Sequence, residues 1–294
     1  MQITTMDAVP LPDAEIVTAL LENRAYYAYA LARPKPGVSA AAAAPIVGVD
    51  PRHTVREVVH GEVLALVSDV ALAEYDLELL RERFQNTLWL EVLARGHQRV
   101  IAALNEHYTL LPLKLCTVYT NEASLHEALE ANSAWVGAAL DRVEGAQEWG
   151  VKIFCDRAAL VTWAISEVPQ LRQLATTVNA ASPGARYMLE KRLQRAAEQG
   201  ADDLRRREVE AIGAQLATKV RAAQAGTLQP QQLHGHAEEM VLNGAYLVAE
   251  SEFETFRAAL DELVAEYSPH GFNFELTGPW PAYSFSTPEQ QEAA

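Results

Sequence analysis

Apolar residues recur along this chain with two different periods, and the changes of period mark its elements. Short apolar or alternating runs bounded by turn residues predict strands at 24–32, 58–67, 110–119, 148–154, 245–250 and 272–277. The first is cut off by Arg33-Pro34-Lys35-Pro36-Gly37, and Pro112 places the third at an edge or bend. Helical spacing covers 13–23, with Ile16, Leu20 and Leu21 on one side after Asp13. It returns over 76–107, where Leu80, Phe84, Leu88, Val92, Val100 and Leu104 read as one face and Gly96 weakens continuity. Further helices are predicted at 121–144, capped by Asn121 and stopped by Gly145, at 156–179, and at 184–225 after Ser182-Pro183-Gly184. A last one at 251–267 has Ser251 as cap with Glu254 three residues on. The alanine run at 38–45 reads as a loop.

The 294 residues suit two domains. The pattern predicts an α+β chain whose N-terminal α+β domain spans 1–145. Residues 146–294 then form a modified ferredoxin-like domain, because 148–277 follows the order β-α-(arm)-β-α-β. Its helical insertion, at 184–226, is so polar that it reads as a projecting arm. The segment 278–285, Gly278-Pro279-Trp280-Pro281-Ala282-Tyr283-Ser284-Phe285, holds three aromatics and two prolines. It can be neither a helix interior nor a central strand. Burying each aromatic is worth roughly 1.5–3 kcal/mol, so it reads as a structural strap in which Trp280, Tyr283 and Phe285 are buried, braced by Pro279 and Pro281.

Charge narrows the partners. The formal net charge is −15, yet residues 186–221 carry nine Lys/Arg against six Asp/Glu, leaving the remainder at −18. An acidic chain disfavours nucleic acid, since phosphate binding needs a dominant basic surface. The basic segment itself reads first as a solvated helix face; otherwise, above all at Arg205, Arg206 and Arg207, it is a candidate for contact with an acidic partner or with an acidic face of the same chain. No run of about 18 apolar residues occurs, so no membrane span is expected. The N-terminus lacks a basic region followed by an apolar core, and Cys116 and Cys155 show no paired spacing; both point to a reduced, cytoplasmic protein.

Candidate chemistry is sparse. Cys116 could meet His97 or His60 as a base, but it sits in an apolar stretch and reads as a buried thiol; Cys155 reads the same way. His234-Gly235-His236, followed by Glu238 and Glu239, lacks an identifiable third metal ligand. Glu148 and Lys152 share a strand face and read as a cross-strand pair or interface lining. Dinucleotide, Walker and nucleophile-elbow motifs are missing, so neither catalysis nor a cofactor is expected.

The ordered motifs go further. They are Tyr27-Ala28-Tyr29-Ala30, His60-Gly61, Leu64-Ala65-Leu66-Val67-Ser68, His97, Leu111-Pro112-Leu113-Lys114, Glu148-x-Gly150-Val151-Lys152, Tyr187-x-Leu189-x-Lys191, Asn243-x-Ala245-Tyr246-Leu247-Val248, and the strap preceded by Glu275-Leu276-Thr277. Over roughly 24–285 the chain resembles the gas vesicle GvpL/GvpF family. It departs at Lys114-Leu115-Cys116-Thr117, where Arg-Phe-Gly-Thr is usual, and at Ala282, where a third proline is usual. The resemblance implies a non-enzymatic accessory or minor structural protein of gas vesicle formation. The shell is built from a small, apolar subunit whose exposed strands would aggregate before assembly. A soluble acidic partner holding that subunit, together with other gas vesicle accessory proteins, is the implied role, and the implied location is the cytoplasm and the gas vesicle. A small-molecule-binding regulatory module is the alternative, since ferredoxin-like domains often hold ligands.

Overall fold

A computed structural model describes residues 24–37, 45–75, 77–231 and 235–287. The predicted helix at 13–23 and nearly all of the alanine-rich loop lie outside the described residues. The chain separates into two compact units, Met1–Asp141 with Pro288–Ala294, and Arg142–Thr287.

In the first unit, β1 (Arg24–Pro34), β2 (Arg56–His60), β3 (Val63–Ala71) and β4 (Tyr108–Pro112) form a sheet in the order β2-β3-β1-β4. The short β5 (Val118–Tyr119) also pairs with β1, and every pairing is antiparallel. The run expected as one strand at 58–67 is thus a hairpin. Gly61, at φ 61°, supplies the positive φ that the turn between His60 and Val63 needs. The expected strand at 110–119 is likewise two strands, separated by a turn in which Cys116 takes φ 63°. That left-handed geometry is costly for a residue with a Cβ, and it falls where the family usually has glycine.

Two helices, α1 (Leu77–Arg83) and α2 (Thr87–Asn105), replace the single one expected at 76–107. Asn86 divides them by capping α2, its Oδ1 accepting from Trp89 N at 3.1 Å. Helix α2 runs through Gly96 and buries Leu93, His97, Val100, Ile101 and Leu104 against Tyr27, Tyr29, Leu66 and Leu110 of the sheet. Leu88 and Val92, assigned to that face by their spacing, are instead exposed. Then α3 (Glu122–Val143) starts at Asn121, whose Oδ1 accepts from Ser124 N at 2.8 Å, and stops at Gly145 with φ 61°.

The second unit runs β6 (Ala146–Cys155), α4 (Arg157–Glu167), α5 (Pro169–Ala180), α6 (Pro183–Ala217), β7 (Ala222–Ala225), β8 (Glu239–Ala249), α7 (Phe253–Tyr267) and β9 (Phe272–Trp280). Its sheet order is β7-β8-β6-β9, antiparallel throughout. Asp156 caps α4 through bonds from Ala158 N and Ala159 N. The expected helix at 156–179 breaks at Val168, which Pro169 forces to extended backbone (φ −80°, ψ 116°). Ser251 makes no side-chain cap; a short 3₁₀ turn at Glu250–Glu252 leads into α7 instead.

Helix α6 corrects the expectation of a polar arm. From Ala197 onward it buries Ala201, Leu204, Ile212 and Leu216 with Val151, Ile153, Leu160, Phe256 and Leu263. Small residues allow the close approach: a Cβ on Gly200 would sit 2.7 Å from Leu171 Cδ1 of α5. Arg157 of α4 ties the same stretch down, donating to Glu198 at 2.7 Å and to Asp202 at 2.6 Å. The chain then leaves α6 as strand β7, where helix had been expected to continue to Ala225.

Candidate functional site: a C-terminal strap and an exposed apolar stripe

The strap begins as the end of β9, an edge strand, which is where a sheet tolerates Pro279. The Gly278–Pro279 bond is cis. Trp280 lies opposite Glu148 of β6, and the chain then turns through Tyr283–Phe285. Glu148 is 8% exposed, and its two oxygens accept from Ser284 N at 2.8 Å and Ser284 Oγ at 2.7 Å. Burial raises the Glu148 carboxyl above its usual range, and the two bonds from Ser284 oppose that rise. Beside it the Tyr283 hydroxyl is pushed up to about 12 by burial, with the Glu148 carboxylate adding to the effect.

This latch was hidden in sequence, where Glu148 read as a partner for a neighbouring strand. Lys152 does stand opposite Glu275 of β9. Phe285 is buried as expected of a strap, and Ala282 is buried beside it in sequence. Trp280 is not: it is 52% exposed, and Tyr283 is 37% exposed. The strap is therefore pinned by Phe285 and Glu148 and turns much of its indole toward solvent.

Arg205, Arg206 and Arg207 are all engaged locally. Arg205 is half-buried and lies 3.7 Å from Glu239; Arg206 is 3.5 Å from Asp203; Arg207 donates to Glu208 at 2.7 Å.

The nucleophile candidates are not activated. Burial pushes both Cys116 and Cys155 thiols up to about 11, so neither is held as thiolate near neutral pH. The Tyr27 hydroxyl and His97 Nδ1 share a hydrogen bond of 3.0 Å, and Cys116 N donates to that same hydroxyl oxygen at 3.2 Å. Burial lowers His97 to about 4, partly opposed by the Leu113 backbone, so the ring is neutral. His60 faces His126, Nδ1 to Nδ1 at 3.1 Å, and its Nε2 lies 2.8 Å from Glu130. His234 lies outside the described residues; His236 stacks on Phe154 with centroids 3.8 Å apart. Among the described residues no group of three or more His, Cys, Asp or Glu is arranged to hold a metal ion. An open cleft of about 770 Å³ is lined by Cys155, Asp156, Arg157, Leu228 and Met240, but its Asp156 and Arg157 are already committed to the cap and to the α4–α6 bridge.

A surface that sequence reasoning misassigned is the apolar stripe formed by Phe84, in the turn after α1, and by Leu88 and Val92 of α2. Phe84 is 46%, Leu88 71% and Val92 64% exposed. Trp89 packs edge-on against Phe84 at 6.2 Å, with the Arg83 guanidinium over its ring at 5.3 Å. A cavity of about 320 Å³ opens beside them, with Val49, Tyr75, Trp89 and Val92 in its lining.

The family model described as "Gas vesicle synthesis protein GvpL/GvpF" matches residues 25–287. The chain belongs to the GvpL/GvpF family. It is 34% identical over 268 residues to gas vesicle protein L of Streptomyces sp. (strain CB03234), covering 90% of this chain and 93% of that protein. To gas vesicle protein F of the same strain it is 27% identical, over 80% of this chain and 89% of the relative. The crystal structure of GvpF from Anabaena sp. PCC7120 superposes with a TM-score of 0.63 at 16% identity, covering 90% of this chain and 98% of that one. GvpF from Microcystis aeruginosa gives 0.58 at 15% identity. These two show a shared mixed helix-and-sheet fold. No helix among the described residues of this GvpL/GvpF-family chain is long and apolar enough to cross a membrane.

Proposed function

We propose that this GvpL/GvpF-family chain is a cytoplasmic, non-catalytic accessory or minor structural protein of gas vesicle assembly. In this role it holds the apolar shell subunit and supports nucleation or growth of the shell. The observation that carries the reading is the exposed Phe84–Leu88–Val92 stripe on a member of this family. A soluble protein rarely leaves large apolar side chains clustered at its surface without a partner. The acidic remainder of the chain would keep a complex with an apolar subunit in solution. Half-exposed Trp280 offers a second apolar contact. In the same proposal the second unit is a modified ferredoxin-like domain. Its succession β-α-β-β-α-β and its strand order, 2-3-1-4 when counted within the unit, support that description, with α4 to α6 as the enlarged helical crossover.

Co-expression with the apolar shell subunit in a host that lacks gas vesicles tests the role. The shell subunit should stay soluble and co-elute with the tagged chain, and Leu88→Glu with Val92→Glu should abolish co-elution while the circular dichroism spectrum is kept. Co-elution unchanged in the double variant would remove the stripe from the proposal, and failure of the wild type to retain the subunit would remove the role itself.

A further inference from the structure

The first turns of α6, before Ala197, differ from the rest of the helix. Its buried positions begin at Ala197, and before them Tyr187 is 63% and Met188 69% exposed. Residues 186–195 hold Arg186, Lys191, Arg192 and Arg195 against Glu190 alone, a local balance of +3. Arg186 donates to the Asn179 carbonyl at 3.3 Å. Lys191, Arg192 and Arg195 are exposed, and no ion pair joins them to a carboxylate among the described residues, in contrast to Arg205, Arg206 and Arg207. Tyr187 and Lys191 also belong to the ordered motifs quoted above, whereas others of that set, such as Tyr27, Tyr29, Leu66 and His97, are core residues. Tyr, Met and Arg are the residue types enriched where proteins meet.

The matching acidic surface lies on the same unit. Residues 250–266 carry Glu250, Glu252, Glu254, Asp261, Glu262 and Glu266 against Arg257, a balance of −5. Glu254, Asp261, Glu262 and Glu266 are exposed on the outer face of α7, opposite the buried Phe256, Leu260 and Leu263. The tip of α6 cannot reach this face in its own molecule. Strand β8, which leads into α7, lies beside the segment that leaves the C-terminal end of α6, where Arg221 N donates to Leu247 O at 2.9 Å. Helix α7 ends beside Glu208, which accepts from the Tyr267 hydroxyl at 2.9 Å. From Glu208 back to Arg195 is 13 residues of helix, about 20 Å at 1.5 Å per residue.

We propose that the basic tip of α6, residues 186–195, docks on the acidic outer face of α7 of a second copy of this chain. The contact joins two different surfaces, so it repeats head to tail, into open chains or rings according to the rotation it sets. Complementary charge sets its orientation and makes it salt-sensitive, and Tyr187 and Met188 supply its apolar anchor.

Sedimentation velocity on the full chain tests this. At about 100 μM and about 20 mM salt the wild type should sediment as a concentration-dependent series of species. At about 500 mM salt, where screening acts within a few Å, it should be largely monomeric. Lys191→Glu/Arg192→Glu/Arg195→Glu removes the tip, and Asp261→Lys/Glu262→Lys removes the face, so each variant alone should be monomeric at low salt. Mixed, the two retain one intact tip and one intact face and should form a 1:1 complex that does not grow. A monomeric wild type at low salt, association surviving in either variant, or a mixture that stays monomeric would each overturn the proposal. Unchanged circular dichroism spectra of both variants ensure that monomers are folded ones.

Discussion

Truncating the two ends of the strap separately should produce unequal losses. Phe285 is fully buried, and Phe→Ala at such a site costs about 3–5 kcal/mol in lost transfer energy and cavity. Trp280 is 52% exposed, so only about half of the 150–250 Å² that an indole can bury is removed from water. At about 25 cal/mol per Å² that is roughly 2 kcal/mol, and about 1–2 kcal/mol once the retained Cβ is discounted. For a unit of this size 1 kcal/mol moves Tm by about 2–4 °C. Differential scanning calorimetry of the intact chain should show the transition of the second unit falling by roughly 10–15 °C in Phe285→Ala and by roughly 3–6 °C in Trp280→Ala. Trp280→Ala should in addition weaken retention of the shell subunit, which Phe285→Ala affects only through unfolding. Equal losses of Tm, or a larger one for Trp280→Ala, would refute the view that Phe285 pins the strap.

Four other outcomes follow from the structure. His97 is held neutral, with its folded value lowered to about 4, so the unfolded chain binds its proton first and stability falls as pH drops from about 6.5 toward 4. That loss reaches about 3 kcal/mol, and urea midpoints measured across this range should flatten in His97→Gln. At Glu148 the sign reverses. Its folded value is raised, so the folded state keeps the proton longer and stability falls as pH rises out of the usual carboxylate range; Glu148→Gln should remove that slope, and a slope that persists in the variant would contradict the assignment. Ser284→Ala should cost about 1–3 kcal/mol by leaving the buried carboxylate one donor short. Limited trypsin digestion should cut after Lys191, Arg192 and Arg195 before Arg205–Arg207, because the helix joins the core only from Ala197.

Much of the strand and helix content was legible, because alternation and turn residues are local signals. The misread stripe shows where that stops. Leu80, Phe84, Leu88, Val92, Val100 and Leu104 all fall on a spacing of four, and at 100° per residue each step of four drifts about 40° around a helix. Across 24 residues the drift approaches two-thirds of a turn, so Leu80 and Leu104 cannot share a face even in one straight helix. The cap at Asn86 resets the phase as well. The polar look of α6 misled differently: Ala197, Ala201 and Gly200 form a packing face of small residues that hydropathy does not flag. Glu148 could not be found at all without the fold, since its partner Ser284 lies 136 residues away. The Cys116 turn was also missed, because the apolar run at 110–119 carries no turn residue at the position that takes the positive φ.

The most direct test of the central claim is the yield of gas vesicles in cells lacking this gene and complemented with a variant chain. Leu88→Glu/Val92→Glu, expressed at the wild-type level and with unchanged Tm, should leave the cells without gas vesicles by electron microscopy and buoyancy. Wild-type numbers of vesicles in that strain would contradict the account.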